Sequence, residues 1–514
     1  MKSISIDLTP EEYHVPELMR RAVASQLGVT EEALEPLRVT RRILDCRRRN
    51  IVYHTEICLG EANLPSTPNL FNTTSKASKT VVIVGAGPAG LFAAMRCLEL
   101  GMKPIIVERG KPVEERKYDI AKLTKEKYVN PDSNWCFGEG GAGTYSDGKL
   151  YTRSTKRGDV GAVLRTFVAH GADPDIMLDA HAHIGTDHLS GIIANMRRTI
   201  VEHGGEYHFH TRVTDLIVKD GKVKGIITEG GISIEGDAVI LATGHSARDI
   251  YYMFHKHGWL LEAKPFALGV RVEHPQELIN EIQYHGKGYS KYLPPAAYSL
   301  TTQAGSHGVF SFCMCPGGVI VPAATADGQQ VVNGMSNSRR NSPHANSGIA
   351  VTVGLKDLPP AAKSINPLNL LDFQIAVEQR MFAAGGNTIN APSQRLVDFL
   401  QRRPSSRLNK TSYMGQVVSA PLYELLPSFV VDSLIQGFKD FDRKMHGFIT
   451  EEASLLAVES RTSSPVRIPR DKETLQHPQL QGLYPCGEGA GYAGGIVSSA
   501  LDGIRCAEAI SPQK

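Results

Sequence analysis

The sequence lacks long hydrophobic runs, clustered cysteines and a charge excess. No apolar stretch reaches the roughly 20 residues of a membrane span, and residues 1–7 lack the apolar core of a secretion signal. We therefore expect a cytoplasmic protein without a membrane partner. Its 56 basic and 53 acidic residues nearly cancel, which argues against nucleic acid as a partner. The eight cysteines lack zinc-ligand spacing, so we expect no metal and mostly reduced, buried thiols.

An apolar strand followed by three spaced glycines is present near residue 80. Residues 81–84 are fit for a buried parallel strand, and Gly85, Gly87 and Gly90 follow with GxGxxG spacing. In dinucleotide-binding folds the first glycine permits a tight turn and the second lets the backbone approach a pyrophosphate. The third lets the helix pack on the strand, and the phosphates lie at the N-terminus of that helix.

A second strand, 103–107, ends in an acidic residue in the expected place. Glu108 lies 18 residues beyond Gly90, where a carboxylate can bind both hydroxyls of an adenosine ribose. No second strand–GxGxxG–helix unit follows, so a permanent NAD(P)H domain is not predicted. Electrons would come from a substrate that gives up a hydride, or from NAD(P)H that binds transiently.

The chain shows this pattern again at residues 237–244 and returns to it in its last 60 residues, which indicates FAD rather than NAD alone. Residues 237–244 form a buried strand ending in Thr-Gly, 482–489 give a strand followed by Gly-Glu, and 494–503 begin a helix. The loop 135–149 is dense in glycine and favours a backbone pressed against the cofactor; the alternative is a long surface loop. We expect one non-covalently bound FAD per chain.

These segments predict an α/β protein with a Rossmann-like FAD-binding domain, an inserted α+β substrate domain and a small N-terminal βαββ unit. The predicted divisions are the N-terminal unit 1–62, a polar linker 63–79, the first part of the FAD domain 80–249, the inserted domain 250–455, and the C-terminal part of the FAD domain 456–514.

The glycine-rich string, Glu108 and the C-terminal CGEGAGYAGGIVSSALDG resemble the glutathione-reductase-type FAD superfamily. Within it, residues 136–149, 241–248 and 311–318 are similar to a bacterial family of uncharacterised FAD-dependent dehydrogenases. One departure is Gly487-Glu488, where the superfamily commonly has Gly-Asp at the ribitol. The longer side chain is expected to contact the pyrophosphate directly or through water.

Motif and resemblance together imply a set of cofactor-binding residues. Val213 would contact the adenine through its backbone, and Gly487 and Glu488 would face the ribitol and phosphate. The helix that starts at Gly494 would point its positive end at the flavin pyrimidine. The full set is Gly85, Gly87, Pro88, Ala89, Gly90, Glu108, Arg109, Gly141, Gly143, Val213, Ala242, Thr243, Gly244, Gly487, Glu488, Gly494, Gly495 and Ile496.

His245, Lys149 and Asp147 are the candidate catalytic acids or bases, because a flavin enzyme needs one such group beside its substrate. The alternative for each is that it only holds the loop or the flavin. We expect the substrate pocket between the loop 138–143, the segment 313–318 and the helix at Gly495.

Cys313 and Cys315 admit two interpretations. Side chains two residues apart share one face of a strand, which allows a redox pair. The other interpretation is a packed strand that enters the Pro-Gly turn.

Two functions are compatible with these features. The first is an FAD-dependent dehydrogenase that acts on a small or medium organic substrate, with hydride passing through flavin N5. The alternative is a flavoprotein that binds or modifies RNA or a protein through the six arginines between Arg38 and Arg49. The plainer interpretation of that strip is a solvated strand face with alternating charges. The sequence predicts no oligomeric state.

Overall fold

A computed structural model describes residues 2–60, 77–152, 158–286, 291–359 and 366–511. Most of the predicted linker 63–79 lies outside the described residues. Among the described residues, no helix is both long and apolar enough to cross a membrane.

The N-terminal unit is a three-stranded antiparallel sheet with two helices, in the strand order β1-β3-β2. Its elements are β1 (Lys2–Leu8), α1 (Pro10–His14), α2 (Pro16–Leu27), β2 (Leu37–Asp45) and β3 (Val52–Leu59). The predicted βαββ unit has a single helix between its first two strands. This helix is divided in two because Val15, which precedes Pro16, is extended, as residues before proline usually are.

The central domain is built on a parallel sheet with the order β22-β10-β4-β5-β6. Its first part comprises β4 (Thr80–Val84), α3 (Pro88–Glu99), β5 (Lys103–Val107), α4 (Val113–Glu126), α5 (Val160–Ala169), α6 (Thr186–Glu202), β6 (Glu206–His208), β7 (Val213–Lys219), β8 (Lys222–Thr228), β9 (Ser233–Glu235), β10 (Ala238–Leu241) and α7 (Arg248–His257).

The chain then forms a second, mainly antiparallel sheet with the order β13-β14-β17-β12-β20-β18-β19, in which β18 and β19 are parallel. This part comprises β11 (Glu262–Ala263), β12 (Phe266–Pro275), α8 (Gln276–Gln283), β13 (Thr301–Ala304), β14 (His307–Cys315), β15 (Val319–Pro322), β16 (Val332–Met335), β17 (His344–Val353), α9 (Asn369–Ala384), β18 (Ala391–Arg395), α10 (Leu396–Leu400), β19 (Val417–Ser419), α11 (Leu422–Leu425), α12 (Ser428–Lys444), β20 (Ser454–Glu459) and β21 (Val466–Arg467).

The chain returns to the parallel sheet through β22 (Leu483–Pro485) and α13 (Ile496–Ile510). Strand β22 pairs with β10 at the edge of that sheet. Residues 206–219 form two strands and not one continuous strand. His210 adopts a positive φ of 52° and turns the chain, so β6 joins the parallel sheet while β7 pairs with β8.

Three of the six arginines between Arg38 and Arg49, which lie on β2 and the turn after it, form ion pairs within the protein. Arg41 pairs with Glu56 at 3.4 Å, and Arg47 with Asp45 at 2.6 Å. Arg42 reaches out of its unit to Asp179, with Nη2 2.7 Å from Oδ2. The strip therefore offers no continuous row of free cations, and nothing supports the RNA- or protein-binding alternative.

Helix α3 packs closely on the turn that precedes it and on α13, because glycine lies at each of these two contact points. A Cβ atom at Gly90 would lie 1.9 Å from the carbonyl oxygen of Gly85, as expected for the third glycine of the motif. A Cβ atom at Gly503 would lie 2.0 Å from the carbonyl oxygen of Ala89. Both positions therefore exclude any larger residue while the backbones stay in place.

Replacing Gly503 by alanine should destabilise the protein by about 1 to 3 kcal/mol, the cost of overpacking a close contact. The matched control is Gly191→Ala on α6, where a Cβ atom meets nothing within 4 Å. That variant should gain up to about 1 kcal/mol from helix propensity. Thermal unfolding followed by circular dichroism compares the two, and equal melting temperatures would contradict the close-contact explanation.

Candidate functional site

A cleft of about 1510 Å³, counting its open mouth, lies at the carboxyl ends of β4, β5 and β10. Every predicted cofactor-binding residue lines it except Gly90, which packs behind it. The three predicted catalytic residues line it as well. This edge of an open parallel sheet is where ligands of α/β proteins bind.

Two helices begin at the cleft with their first N–H groups uncapped by a side chain. Gly87 precedes α3 and Gly495 precedes α13; neither helix has a side-chain cap or an acidic residue in its first turn. Such N-termini offer N–H donors and a positive dipole end to anions. One suits a pyrophosphate, and the other suits the negative charge that a reduced flavin carries.

The glycines at these N-termini leave space where a cofactor would lie. A Cβ atom at Gly87 would meet only the Cα of Gly141, at 3.9 Å, and one at Gly494 or Gly495 would meet nothing within 4 Å. Gly85 differs, because its φ is +106° and a Cβ atom would lie 2.5 Å from the carbonyl oxygen of Ala242. Gly85 is thus required by the turn itself, whereas Gly87 is free to accommodate a ligand.

Glu108 is buried, and its carboxylate accepts three backbone N–H groups. Oε1 accepts from Gly110 at 2.9 Å and Gly138 at 3.0 Å, and Oε2 accepts from Ala86 at 2.9 Å. A carboxylate has about four lone-pair positions. The contacts leave room for about one ribose hydroxyl, whereas the sequence predicted that both would bind here.

Arg116 of α4 holds the glycine-rich loop from behind, a role that the sequence did not reveal. Its guanidinium is fully buried and donates to the carbonyl oxygens of Asn134, Glu139 and Gly141, each at 2.8 Å. Burial lowers the pKa of Arg116, yet an arginine stays protonated in proteins. A loop that was expected to press on the cofactor is therefore fixed by one cation.

Asp147 is a poor candidate for an acid or base because Arg340 holds it. The Arg340 guanidinium donates to both carboxylate oxygens, at 3.0 and 2.6 Å. Burial favours the neutral form, but the charges of Arg340 and Lys149 outweigh it, so the pKa of Asp147 lies below its usual value. A general base should titrate near the working pH, and we assign Asp147 to loop positioning instead.

His245 lies beside Glu488, with Nε2 3.6 Å from Oε2. Burial, reinforced by Arg461 and Arg248, lowers the pKa of His245 to about 4. Burial raises the pKa of Glu488, whose Oε1 accepts the N–H of Gly495. His245 is therefore neutral at neutral pH, and its low pKa makes it a weak base that is better suited to hydrogen bonding than to proton abstraction.

A buried charge cluster lies behind His245, formed by Arg248, Glu378 and Arg461. Glu378 accepts from Arg248 at 2.8 Å and from Arg461 at 3.2 Å. Arg461 lines the cleft and also donates to Ser246 at 3.1 Å. Two guanidinium groups face one carboxylate, so this wall is positive. Its members come from α7, α9 and the segment just after β20. They are far apart in the sequence, so no motif spacing predicts that they form a cluster.

A parallel sheet with a GxGxxG turn, two helix N-termini aimed at one cleft and a buried acid after β5 define a dinucleotide-binding flavoprotein. Models of known families agree: "FAD binding domain" matches residues 80–116, "FAD dependent oxidoreductase" 185–342, and "FAD-dependent protein, C-terminal domain-like" 265–462. A domain of unknown function matches 1–58.

An uncharacterized protein of Clostridium beijerinckii is 39% identical over 515 residues, which cover 96% of this chain and 95% of the relative. The chain belongs to the same family of FAD-dependent oxidoreductases as the Clostridium beijerinckii protein. Digeranylgeranylglycerophospholipid reductase of Methanothrix thermoacetophila is 35% identical over 175 residues, covering 32% of this chain and 39% of the relative.

A geranylgeranyl bacteriochlorophyll reductase-like protein of Thermoplasma acidophilum is 11% identical, covering 84% of this chain and 77% of that chain at a TM-score of 0.35.

Replacing Gly87 by valine should abolish FAD binding while the protein still folds, because the added carbons fill the space at the N-terminus of α3. The control is Gly191→Val, on the exposed side of α6. Flavin absorbance per chain measures the loss, and the far-ultraviolet circular dichroism spectrum measures the fold. A yellow Gly87→Val protein with a normal spectrum would contradict this placement.

Replacing Glu108 by alanine should weaken FAD binding by about 1 to 3 kcal/mol, the range for hydrogen bonds to a charged group. The loss includes the three backbone contacts as well as the ribose contact. Fluorescence titration of the apoprotein with FAD gives the dissociation constant, with Glu99→Ala at the far end of α3 as the control. An unchanged constant would place the ribose contact elsewhere.

Proposed function

We propose that this protein is an FAD-dependent dehydrogenase that oxidises a small or medium-sized organic molecule. The observation that carries the proposal is the pair of uncapped helix N-termini on one cleft that also receives side chains from the part of the chain that forms the second sheet and the segments beside it. Those side chains are Phe312, Cys313, Asn333, Arg461 and Thr462. They suit a substrate that reaches the cofactor from the inserted domain.

The residues that would hold FAD follow from the two helix N-termini at the cleft and from the space that their glycines leave. We infer the glutathione-reductase type of binding, in which Gly87 and α3 hold the pyrophosphate, Glu108 contacts the adenosine ribose, Val213 contacts the adenine and α13 approaches the flavin. Bound FAD supplies a two-electron acceptor that takes up a hydride at N5.

The protein's own groups supply charge and hydrogen bonds around that centre, and the proton that the oxidised molecule gives up passes to solvent at the open mouth of the cleft. The positive end of α13 stabilises negative charge in the cleft, and the excess positive charge at Arg248 and Arg461 acts in the same direction. Lys149 is the proton-bearing group of the cleft, because the neighbouring Cys313, Cys315 and Asp147 outweigh the effect of burial and raise its pKa. We assign to Lys149 the orientation of the substrate by hydrogen bonding.

The source of electrons is the substrate in this proposal, with transient NAD(P)H as the other route. Among the described residues, one strand–glycine–helix unit of the dinucleotide type is present, that of β4 and α3. A resident nicotinamide would need a second unit.

Anaerobic stopped-flow mixing with NADH, NADPH and a library of organic metabolites tests the proposal. An organic molecule should bleach the flavin bands, and Lys149→Met should slow that step by about 10²-fold, the cost of a substrate held in the wrong position. FAD content should stay normal, and Lys117→Met on exposed α4 should match the wild type. Bleaching by NAD(P)H alone, with no organic donor active, would refute the dehydrogenase.

A further inference from the structure

Two thiols lie side by side in the wall of the cleft. The Sγ atoms of Cys313 and Cys315 are 4.0 Å apart, and the Cys315 thiol also donates to the carbonyl oxygen of Cys313 at 3.3 Å. Cys313 lines the cleft and is partly exposed, whereas Cys315 is fully buried behind it. Access therefore differs sharply between two thiols that nearly touch.

A β-bulge produces this arrangement. Phe312 pairs with Gly348 and Cys315 pairs with Asn346, so β14 has one residue more than β17 between these pairs. Cys313 adopts a positive φ of 45° there, a conformation that is rare for a residue with a side chain. A bulge re-aims side chains beside functional sites, and here it turns the Cys313 thiol to the cleft while keeping it near Cys315.

Positive charge surrounds the outer thiol. Lys149 donates to the carbonyl oxygen of Met314, and buried Arg271 donates to that of Cys313 at 3.4 Å. The hydrogen bond from Cys315, followed by the charges of Lys149 and Arg271, holds the pKa of Cys313 well below that of a free thiol. The same contact and burial raise the pKa of Cys315. The acidic groups that act in the opposite direction are Asp147, Glu459 and Glu488.

We propose that Cys313 and Cys315 form a thiol–disulfide exchange site that accepts small disulfides entering the cleft, with Cys313 as the attacking thiolate and Cys315 as the resolving thiol. The Cys313 thiolate attacks one sulfur of the small disulfide, which forms a mixed disulfide and releases one thiolate. The released thiolate then takes the proton of the buried Cys315, and Cys315 attacks the Cys313 sulfur. The Cys313–Cys315 bond forms, and the second thiolate leaves. The protein pair loses two electrons, and the small disulfide gains them.

This activity does not depend on the dehydrogenase proposal, because neither step uses the flavin. It is tested on the FAD-loaded protein without any reductant, using 4,4′-dithiodipyridine and oxidised glutathione as the small disulfides. Peptide mass spectrometry then locates the products. Flavin reduction is not measured in this experiment. Absence of thiol–disulfide exchange would therefore leave the dehydrogenase proposal unaffected. Absence of flavin reduction by organic molecules would likewise leave the exchange proposal unaffected.

In the wild type the peptide with residues 313–315 should lose two hydrogen masses and keep no adduct. Cys315→Ser should retain the adduct on Cys313, whereas Cys313→Ser should leave the buried Cys315 unmodified. Cys136→Ser is the control, because Cys136 lines the same cleft beside the carbonyl oxygen of Ala323, at 3.9 Å. That variant should react like the wild type at this peptide.

The pKa of Cys313 is about 5, and loss of an adjacent cation raises a thiol pKa by about one unit. Lys149→Met should therefore reduce the rate at Cys313 about fivefold at pH 5. The full pH profile of the rate should shift upward, which a purely structural lysine would not cause. Circular dichroism and FAD content verify that each variant folds. A stable adduct on wild-type Cys313, or no reaction there, would overturn the proposal. Because this outcome is measured on the wild type, it tests the proposal even if a variant fails to fold.

Discussion

The cleft depends on one carboxylate that gathers three separate stretches of backbone. Glu108 accepts N–H groups from the β4–α3 turn, from the residues just after β5 and from the glycine-rich loop. Leaving such buried donors unpaired would cost about 1 to 3 kcal/mol each. Arg116 completes the arrangement from the opposite direction by binding the carbonyl groups of the same loop. Anion and cation together fix a backbone that glycine alone would leave loose.

The sequence predicted what is local in the chain and missed what is assembled from distant segments. The glycines at 85, 87 and 90, Glu108 and the return at Gly487 were visible because a strand, a turn and a helix are consecutive there. The cluster of Arg248, Glu378 and Arg461 was not, since its members are joined only by folding. Asp147 was predicted as a catalytic candidate because nothing in the sequence shows its partner, Arg340, almost 200 positions later.

The second sheet contributes buried charge as well as shape to the cleft. Arg271 and Glu459 are almost fully buried and form a 2.8 Å ion pair, with Asn346 as a further acceptor of Arg271. A buried ion pair rarely adds net stability, because desolvation offsets the attraction. Its presence behind the bulge at Cys313 is better explained by the electrostatic field that it sets at the wall of the cleft. Removing either partner alone would leave a costly uncompensated charge.

The parallel sheet is discontinuous in the chain, and this has a consequence during protein synthesis. Strand β4 and helix α3 leave the ribosome early, whereas β22 and α13 follow only after the whole inserted domain. At about 5 to 20 residues per second, that interval lasts on the order of tens of seconds. During this time the edge of β10 that later pairs with β22 is unprotected, and unpaired strand edges favour aggregation. The inserted domain can fold first, and the cleft has both of its helix N-termini only once α13 has been made.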